Sequence, residues 1–335
     1  MKSIPTSLRS LALTTLVLGL LGLGVAGCGG DSSSTSSSED VSRDLTMVTV
    51  NWIEGLAMTY MQERILEDSL NMNVTVNEVQ GGGIAFSSVA GDADFFNEAW
   101  LPTTHEAPWG KNKDKLQKLG YTYKGTSAGL AVPSYVEIDS ASQLGEIREA
   151  LDAEIHGIES GANVNDQARQ ILENNNIEGF NVLAASGPAT WQALETAIDN
   201  EEPIVVVAWK PHWKWDRYDL KYLQGAQTGQ TPVFGAPEDI FTIVDNEFVD
   251  EFPKEAVCFL QEFEATDAQV GSLMFAFKNR GDMSRQEAAA TWIENHPDDV
   301  SAWLDQAEEC AAGGPVEALP DDAAYSSTSS SGADA

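Results

Sequence analysis

The sequence is poor in histidine, cysteine and basic residues, and each shortage excludes a class of function. It has 4 histidines, 3 cysteines, and no HExxH, CxxC, EF-hand, Walker or GxSxG motif, so no metal, cofactor or catalytic residue is predicted. Only 19 basic residues accompany 52 acidic ones, giving a net charge of −33. A polyanion gains nothing by releasing counterions from nucleic acid, so no nucleic-acid partner is expected.

Apolar residues are nevertheless sufficient for a folded protein. Hydrophobic residues make up 42% and aromatic residues 8% of the 335 positions. This composition excludes wholesale disorder, and the length allows two domains.

The first residues are typical of a secretory signal. Lys2 and Arg9 precede an apolar stretch, residues 11–24, which is too short to span a membrane and ends in small residues directly before Cys28. The VAGC tetrapeptide resembles the lipobox of bacterial lipoproteins, in which the cysteine is acylated. We therefore expect a signal peptide over residues 1–27 and lipidation of Cys28. An ordinary signal peptide with an incidental cysteine is the alternative.

Two polar segments flank the predicted folded body. Residues 28–44 are rich in serine and are expected to form a flexible tether, and residues 313–335 a disordered tail. With Cys28 lipidated, Cys258 and Cys310 remain. They form either a disulfide or two buried free thiols.

The excess of carboxylates has a cost in stability, because like charges repel each other. Salt screens this repulsion, to a distance of about 3 Å at 1 M. A halophilic source is one interpretation of the composition, and a merely soluble acidic protein is the other.

Between residues 45 and 312, short apolar runs alternate with amphipathic stretches, which is typical of an α/β fold. We expect one lobe from residues 45–133 and 240–312 and a second from residues 134–239. The crossings between them are expected near 133–136 and 235–239. The predicted strands are 45–52, 74–79, 95–100, 127–133, 155–158, 203–209 and 240–244. The predicted helices are 54–70, 81–90, 143–151, 165–174 and 190–199, with further helices to about residue 310.

Three of the nine tryptophans, Trp52, Trp100 and Trp209, each come at the end of a predicted strand. Ligands bind at the carboxyl ends of strands in α/β sheets, although any single tryptophan is more often a core residue. Trp100 and Trp209 are each followed by X-Pro and a nearby histidine, in AWLPTTH and AWKPHW. Indole faces that converge on one cleft attract a methylated ammonium group.

At these motifs the chain resembles the glycine betaine/proline betaine substrate-binding proteins of ABC transporters. The resemblance runs from residue 50 to residue 303 and implies a two-lobed periplasmic-binding-protein-like α/β fold with a ligand cleft between the lobes. The matching segments are VNWIEGLA, GDADFFNEAWLPTTH, GLAVPSYV, GIESGA, PIVVVAWKPHWKWDRYDLKYL and TWIENHPDDVSAW. GIESGA departs from the family's usual GIDPGxG.

The resemblance also implies a role for particular residues. Trp52, Trp100 and Trp209 would form the walls of an ammonium cage, and His105 would donate to the ligand carboxylate. The backbone N–H groups of Gly157 and Ile158 would complete the carboxylate site, next to the N-terminus of a predicted helix, which favours an anion.

The function implied by the resemblance is that of a monomeric, lipid-anchored, extracytoplasmic receptor that is not an enzyme. It would bind glycine betaine or proline betaine for import by the permease and ATPase subunits of an ABC transporter. Choline, carnitine or a sulfonium betaine is the nearest alternative ligand. A secreted α/β hydrolase and a structural lipoprotein with purely core aromatics are the alternatives of other classes.

Overall fold

The structure is a computed structural model that describes residues 41–323. The predicted signal peptide, Cys28 and the tether as far as residue 40 lie outside the described residues, as does the predicted tail from residue 324. Among the described residues, no helix is both long and apolar enough to span a bilayer.

Strands and helices alternate along the described chain, as expected for an α/β fold. The strands are β1 (Asp44–Val50), β2 (Asn73–Val79), β3 (Phe95–Leu101), β4 (Leu116–Pro133), β5 (Glu154–His156), β6 (Asn181–Leu183), β7 (Val206–Lys210), β8 (Leu220–Gln227) and β9 (Glu238–Asp245). The helices are α1 (Ile53–Asp68), α2 (Gly82–Val89), α3 (Glu106–Asn112), α4 (Asn163–Asn174), α5 (Gly187–Asp199), α6 (Lys214–Arg217), α7 (Phe248–Glu251), α8 (Lys254–Glu262), α9 (Asp267–Lys278), α10 (Arg285–Asn295) and α11 (Pro297–Ala312).

The strands pair in the order β2-β1-β3-β9-β4-β7-β5-β6, and β8 pairs with β4. β1 is parallel to β2 and β3, and β5 is parallel to β6 and β7. β4 is antiparallel to β7, β8 and β9, so the sheet is mixed. We call the part with β1, β2, β3 and β9 lobe one, and the part with β5, β6, β7 and β8 lobe two.

The long strand β4 belongs to both lobes. Its residues as far as Thr126 pair with β9, and its residues from Ser127 pair with β7. The partner strand therefore changes inside β4, before the crossing expected at 133–136. The reason is that β4 continues through Gly125 and Thr126 without a turn.

Residues 143–151 do not form the expected α-helix. A 3₁₀ helix covers Ala141–Ile147, and it begins with a capping box. The Ser140 hydroxyl accepts a hydrogen bond from the backbone of the first turn, and the Gln143 side chain accepts one from Ser140 N. Only Ala141 and Leu144 of this segment are buried, and their spacing of three residues fits the period of a 3₁₀ helix.

The first part of the predicted tail is ordered against lobe one. Leu319 N donates to the carbonyl of Lys118 (2.8 Å), and Lys118 Nζ donates to the carbonyls of Asp321 (2.9 Å) and Ala323 (2.8 Å). Disorder is therefore the wrong prediction for residues 313–323, because these contacts hold them to β4.

Two apolar clusters make up the core. The smaller cluster packs α2 against β1, β3 and β9 and so fixes α2 beside the end of β3. In the larger cluster, Cys258 of α8 and Cys310 of α11 are joined by a disulfide with their Cα atoms 5.7 Å apart. This cross-link ties α11 to the buried centre of α8, residues 256–260.

Candidate functional site

Trp52, Trp100 and Trp209 line one cavity between the lobes. Trp52 directly precedes α1 after the end of β1, Trp100 is the penultimate residue of β3, and Trp209 is the penultimate residue of β7. The centre of a water molecule can occupy about 60 Å³ of this cavity. It is lined by Trp52, Glu54, Trp100, Thr104, His105, Ala128, Ile158, Ala162, Asn163, Val164 and Trp209.

The edges of the indoles are held by hydrogen bonds or aromatic contacts. Trp100 Nε1 donates to Glu98 Oε2 (2.7 Å), and Trp52 Nε1 donates to Glu159 Oε1 of lobe two. The Trp209 ring packs edge-on against Trp191, with 5.2 Å between the centroids. Three indoles fixed in this way offer a preformed aromatic wall.

His105 lines the same cavity, and its imidazole ring is neutral. Its Nδ1 accepts a hydrogen bond from the backbone N of Trp100 (3.0 Å), which assigns the ring proton to Nε2. The ring stacks on Trp52, with 5.7 Å between centroids and 18° between planes. Burial lowers the pKa of His105 to about 3, so the ring is uncharged near neutral pH. His105 can therefore donate one hydrogen bond from Nε2.

Gly82 is the middle glycine of the run Gly81-Gly82-Gly83 and the first residue of α2. A Cβ at position 82 would collide with Nε2 of His105. Only glycine lets the start of α2 approach the imidazole this closely, so Gly82 allows α2 to pack against His105.

Gly157 and Ile158 do not have the free N–H groups that the sequence analysis predicted. Gly157 N donates to the carbonyl of Leu183 (2.9 Å), and Ile158 N donates to Asn165 Oδ1 (3.0 Å). Ile158 lines the cavity, but Gly157 does not. The prediction of two free donors here is wrong, because both are used to hold the loop to β6 and α4.

The N-terminus of α4 presents donors instead. Ala162, Asn163 and Val164 line the cavity, and the N–H groups of Asn163 and Val164 have no partner among the described residues. Unpaired N–H groups at a helix N-terminus attract an anion.

Sequence reasoning missed three buried ionisable groups around the indoles. Glu54 is 2% exposed and Glu98 and Lys214 are fully buried. Burial raises the pKa of Glu54 to about 8, raises that of Glu98 well above its usual value, and lowers that of Lys214 well below its usual value. Spacing was the one available signal, since Glu54 and Glu98 lie two residues from Trp52 and Trp100. In so acidic a chain this spacing did not stand out.

Within residues 41–323, no group of three or more His, Cys, Asp or Glu side chains is arranged to hold a metal ion. His212 is packed between Trp191, Trp209 and Trp213, and its Nδ1 accepts from Lys214 N (3.3 Å). His212 therefore has a packing role.

Residues 43–295 match the family model of the substrate binding domain of ABC-type glycine betaine transport systems. The match covers most of the chain, and the chain therefore belongs to this family. The fold and the family define a substrate-binding protein of the glycine betaine class of ABC transporters, with the two-lobed architecture that the sequence predicted.

The glycine betaine/carnitine transport binding protein GbuC of Listeria monocytogenes is 30% identical over 166 residues, 49% of this chain and 53% of that protein. The match spans about half the length of this curated relative. Lactococcal OpuAC, closed and complexed with glycine betaine, is 30% identical with a TM-score of 0.68 over 78% of this chain and 99% of that chain. ProX of Borrelia burgdorferi is 25% identical with a TM-score of 0.71 over 80% and 99%.

Proposed function

We propose that the chain captures glycine betaine, or a close relative such as proline betaine, for import by an ABC transporter. The observation that carries this proposal is that Trp52, Trp100 and Trp209 line one cavity. A methylated ammonium group cannot donate hydrogen bonds and is weakly hydrated, so indole faces attract it, by up to about 2 kcal/mol per desolvated ring. The glycine betaine complex of lactococcal OpuAC, 30% identical to this chain, supports the assignment.

The carboxylate of the ligand would lie between His105 and the N-terminus of α4. His105 Nε2 and the N–H groups of Asn163 and Val164 are donors without partners among the described residues, and all three residues line the cavity. Hydrogen bonds to a charged group contribute about 1.5–3 kcal/mol each. Both ends of a zwitterion would thus have partners, which favours a betaine over choline.

Ligand binding would select the closed form of the protein. Trp52, Trp100 and His105 come from lobe one, whereas Trp209 and α4 come from lobe two, so only closure brings every contact to the ligand. The transporter's permease and ATPase subunits would use this closed form, and the chain itself would catalyse no reaction. We propose that the lobes follow the ranges predicted from the sequence, 45–133 with 240–312 and 134–239, except that the hinge lies within β4, near the change of partner strand between Thr126 and Ser127.

We further propose that the chain works outside the cytoplasm as a monomer, anchored to the membrane through lipidated Cys28. The basic start, the apolar stretch and the VAGC tetrapeptide support this part of the proposal.

Choline is the second candidate ligand. Glu54 lines the cavity and its Oε2 has no partner among the described residues. Burial raises the pKa of Glu54 to about 8, and a bound cation would favour ionisation of this carboxyl group, which could then act as a counter-ion for a ligand that has no carboxylate of its own.

Isothermal titration with glycine betaine, choline, carnitine and proline tests the proposed function. We expect a micromolar dissociation constant for glycine betaine, corresponding to about −8 kcal/mol. Trp209→Ala should weaken binding about thirtyfold, as expected for the loss of about 2 kcal/mol, and His105→Ala should weaken it at least tenfold, because each loses a direct contact.

Trp109→Ala is the matched control, since Trp109 is partly exposed on α3 and does not line the cavity. It should bind as the unmodified protein does. Absence of any heat from a folded protein with all four compounds, or unchanged binding by a folded Trp209→Ala variant, would contradict the proposal.

A further inference from the structure

Lys214 is a buried cation that rests on a wall of the cage. It is the first residue of α6 and has no exposed surface. Its Nζ lies 3.5 Å from the centroid of Trp191 and 4.3 Å from that of Trp209. The Nζ has no hydrogen-bond partner among the described residues. Two indole faces thus take the place of the water that an ammonium normally keeps, and they favour the charged form of the amine against the burial that lowers its pKa.

One carboxyl group of lobe one acts on this amine, and a second acts on the first. Glu54, at the start of α1, is close enough to influence the protonation of Lys214, and Glu98 of β3 in turn influences Glu54. Glu54 Oε2 and Glu98 Oε1 have no partners among the described residues. The other ionisable groups that act on Glu54 or lie beside Lys214 are Glu159 and His212.

Lys214 and the ligand would therefore have two neighbours in common, Trp209 and Glu54. Trp209 and Glu54 line the cavity, whereas Lys214 does not. An ammonium group on Trp209 opposes a second positive charge in the cavity, and it competes with that charge for the attraction of the Glu54 carboxyl group. A ligand with a net positive charge feels this repulsion fully. A zwitterion feels less, because its carboxylate is attracted to the same charge.

We propose that Lys214 is a specificity-determining residue that lowers the affinity of the cage for net cations, such as choline, relative to zwitterionic betaines. This inference rests on the proposed function. Lys214 touches no ligand, and it acts through Trp209 and Glu54.

The test is the ratio of the choline and glycine betaine affinities in the variant Lys214→Met. Methionine keeps an unbranched apolar chain and removes the charge. A unit charge about 10 Å away at an effective dielectric of about 20 changes an affinity about tenfold. We expect choline and tetramethylammonium to bind about tenfold more tightly to the variant, and glycine betaine to gain less than about threefold. Both affinities are measured by isothermal titration at pH 7.

Lys210→Met is the matched control. Lys210 is exposed, and its Nζ lies over Trp215, 4.8 Å from the ring centroid, outside the cavity. Water screens an exposed charge, so this variant should keep the original affinity ratio. Lys214→Arg retains the charge and should also keep it. If Lys214→Met does not fold, Lys214→Gln removes the same charge with a polar side chain.

The role of Lys214 would be overturned if the charge-removing variant kept the original ratio of the choline and glycine betaine affinities. This includes the case in which both affinities increase by the same factor. Each of these results leaves the proposed function intact, because the unmodified protein still binds glycine betaine. Failure of the unmodified protein to bind would instead contradict the proposed function.

Discussion

At the scale of single residues, the tryptophans that line the cavity were predictable from the sequence, and the buried ionisable groups near them were not. Trp100 and Trp209 stand in the specific motifs AWLPTTH and AWKPHW, and all three predicted cage residues line one cavity. Glu54 and Glu98 were not predicted, because 52 acidic residues make any one carboxylate uninformative until its burial is known. Lys214 was not predicted, because the sequence does not show that this lysine is buried.

Glu63 of α1 should make stability depend on pH. Burial raises its pKa to about 7, and one carboxyl oxygen has no partner among the described residues. A pKa raised by folding means that the native state binds more protons, so stability falls as pH rises from about 4.5 to about 7. Glu63→Gln should flatten this slope and stabilise the protein at pH 8 by about 1 kcal/mol after solvent screening.

Urea unfolding at pH 5 and pH 8 measures the effect of Glu63→Gln. Glu173→Gln, on the exposed face of α4, is the control and should leave the slope unchanged. Equal stabilisation by Glu63→Gln at both pH values would contradict the account.

At the scale of elements, the hydrophobic pattern predicted the apolar strands, and it missed the strands that are short or polar. β7 is a continuous apolar run, and β9 was recognised from the same signal. β6 has only three residues, and β8 is a polar strand whose pairing depends on β4. The first part of β4 was missed because its lysines and glycines interrupt any alternation, although the neighbouring strands bury it.

Asn165 is the residue through which α4 holds the preceding loop. Its Oδ1 accepts from Ile158 N, and its Nδ2 donates to the carbonyls of Ile158 (2.9 Å) and Glu159 (3.1 Å). Asn165→Leu leaves three buried backbone groups without these partners. We expect a loss of about 2–4 kcal/mol in the free energy of unfolding, measured in urea.

The control for Asn165→Leu is the same substitution at Asn174, an exposed residue at the end of α4. It should change the free energy of unfolding by less than about 0.5 kcal/mol. A loss at Asn165 no larger than this would show that the loop is held by other contacts.

At the scale of the whole molecule, the charge of −33 should make stability increase with salt. The described residues contain seven ion pairs, most with exposed side chains, which cannot balance the excess of carboxylates. We infer a protein adapted to high salt, and expect its melting temperature to rise by several degrees between about 0.1 M and 1 M NaCl, where the screening length falls from about 10 to 3 Å. A melting temperature that stays constant or falls would contradict this inference.

The central claim is that tryptophans from both lobes enclose one methylated ammonium group. A crystal structure grown with glycine betaine tests it most directly. We predict the trimethylammonium group within about 6 Å of the ring centroids of Trp52, Trp100 and Trp209, with the carboxylate directed at His105 and α4. A ligand bound elsewhere, or an ammonium group that contacts the tryptophans of only one lobe, would contradict the account.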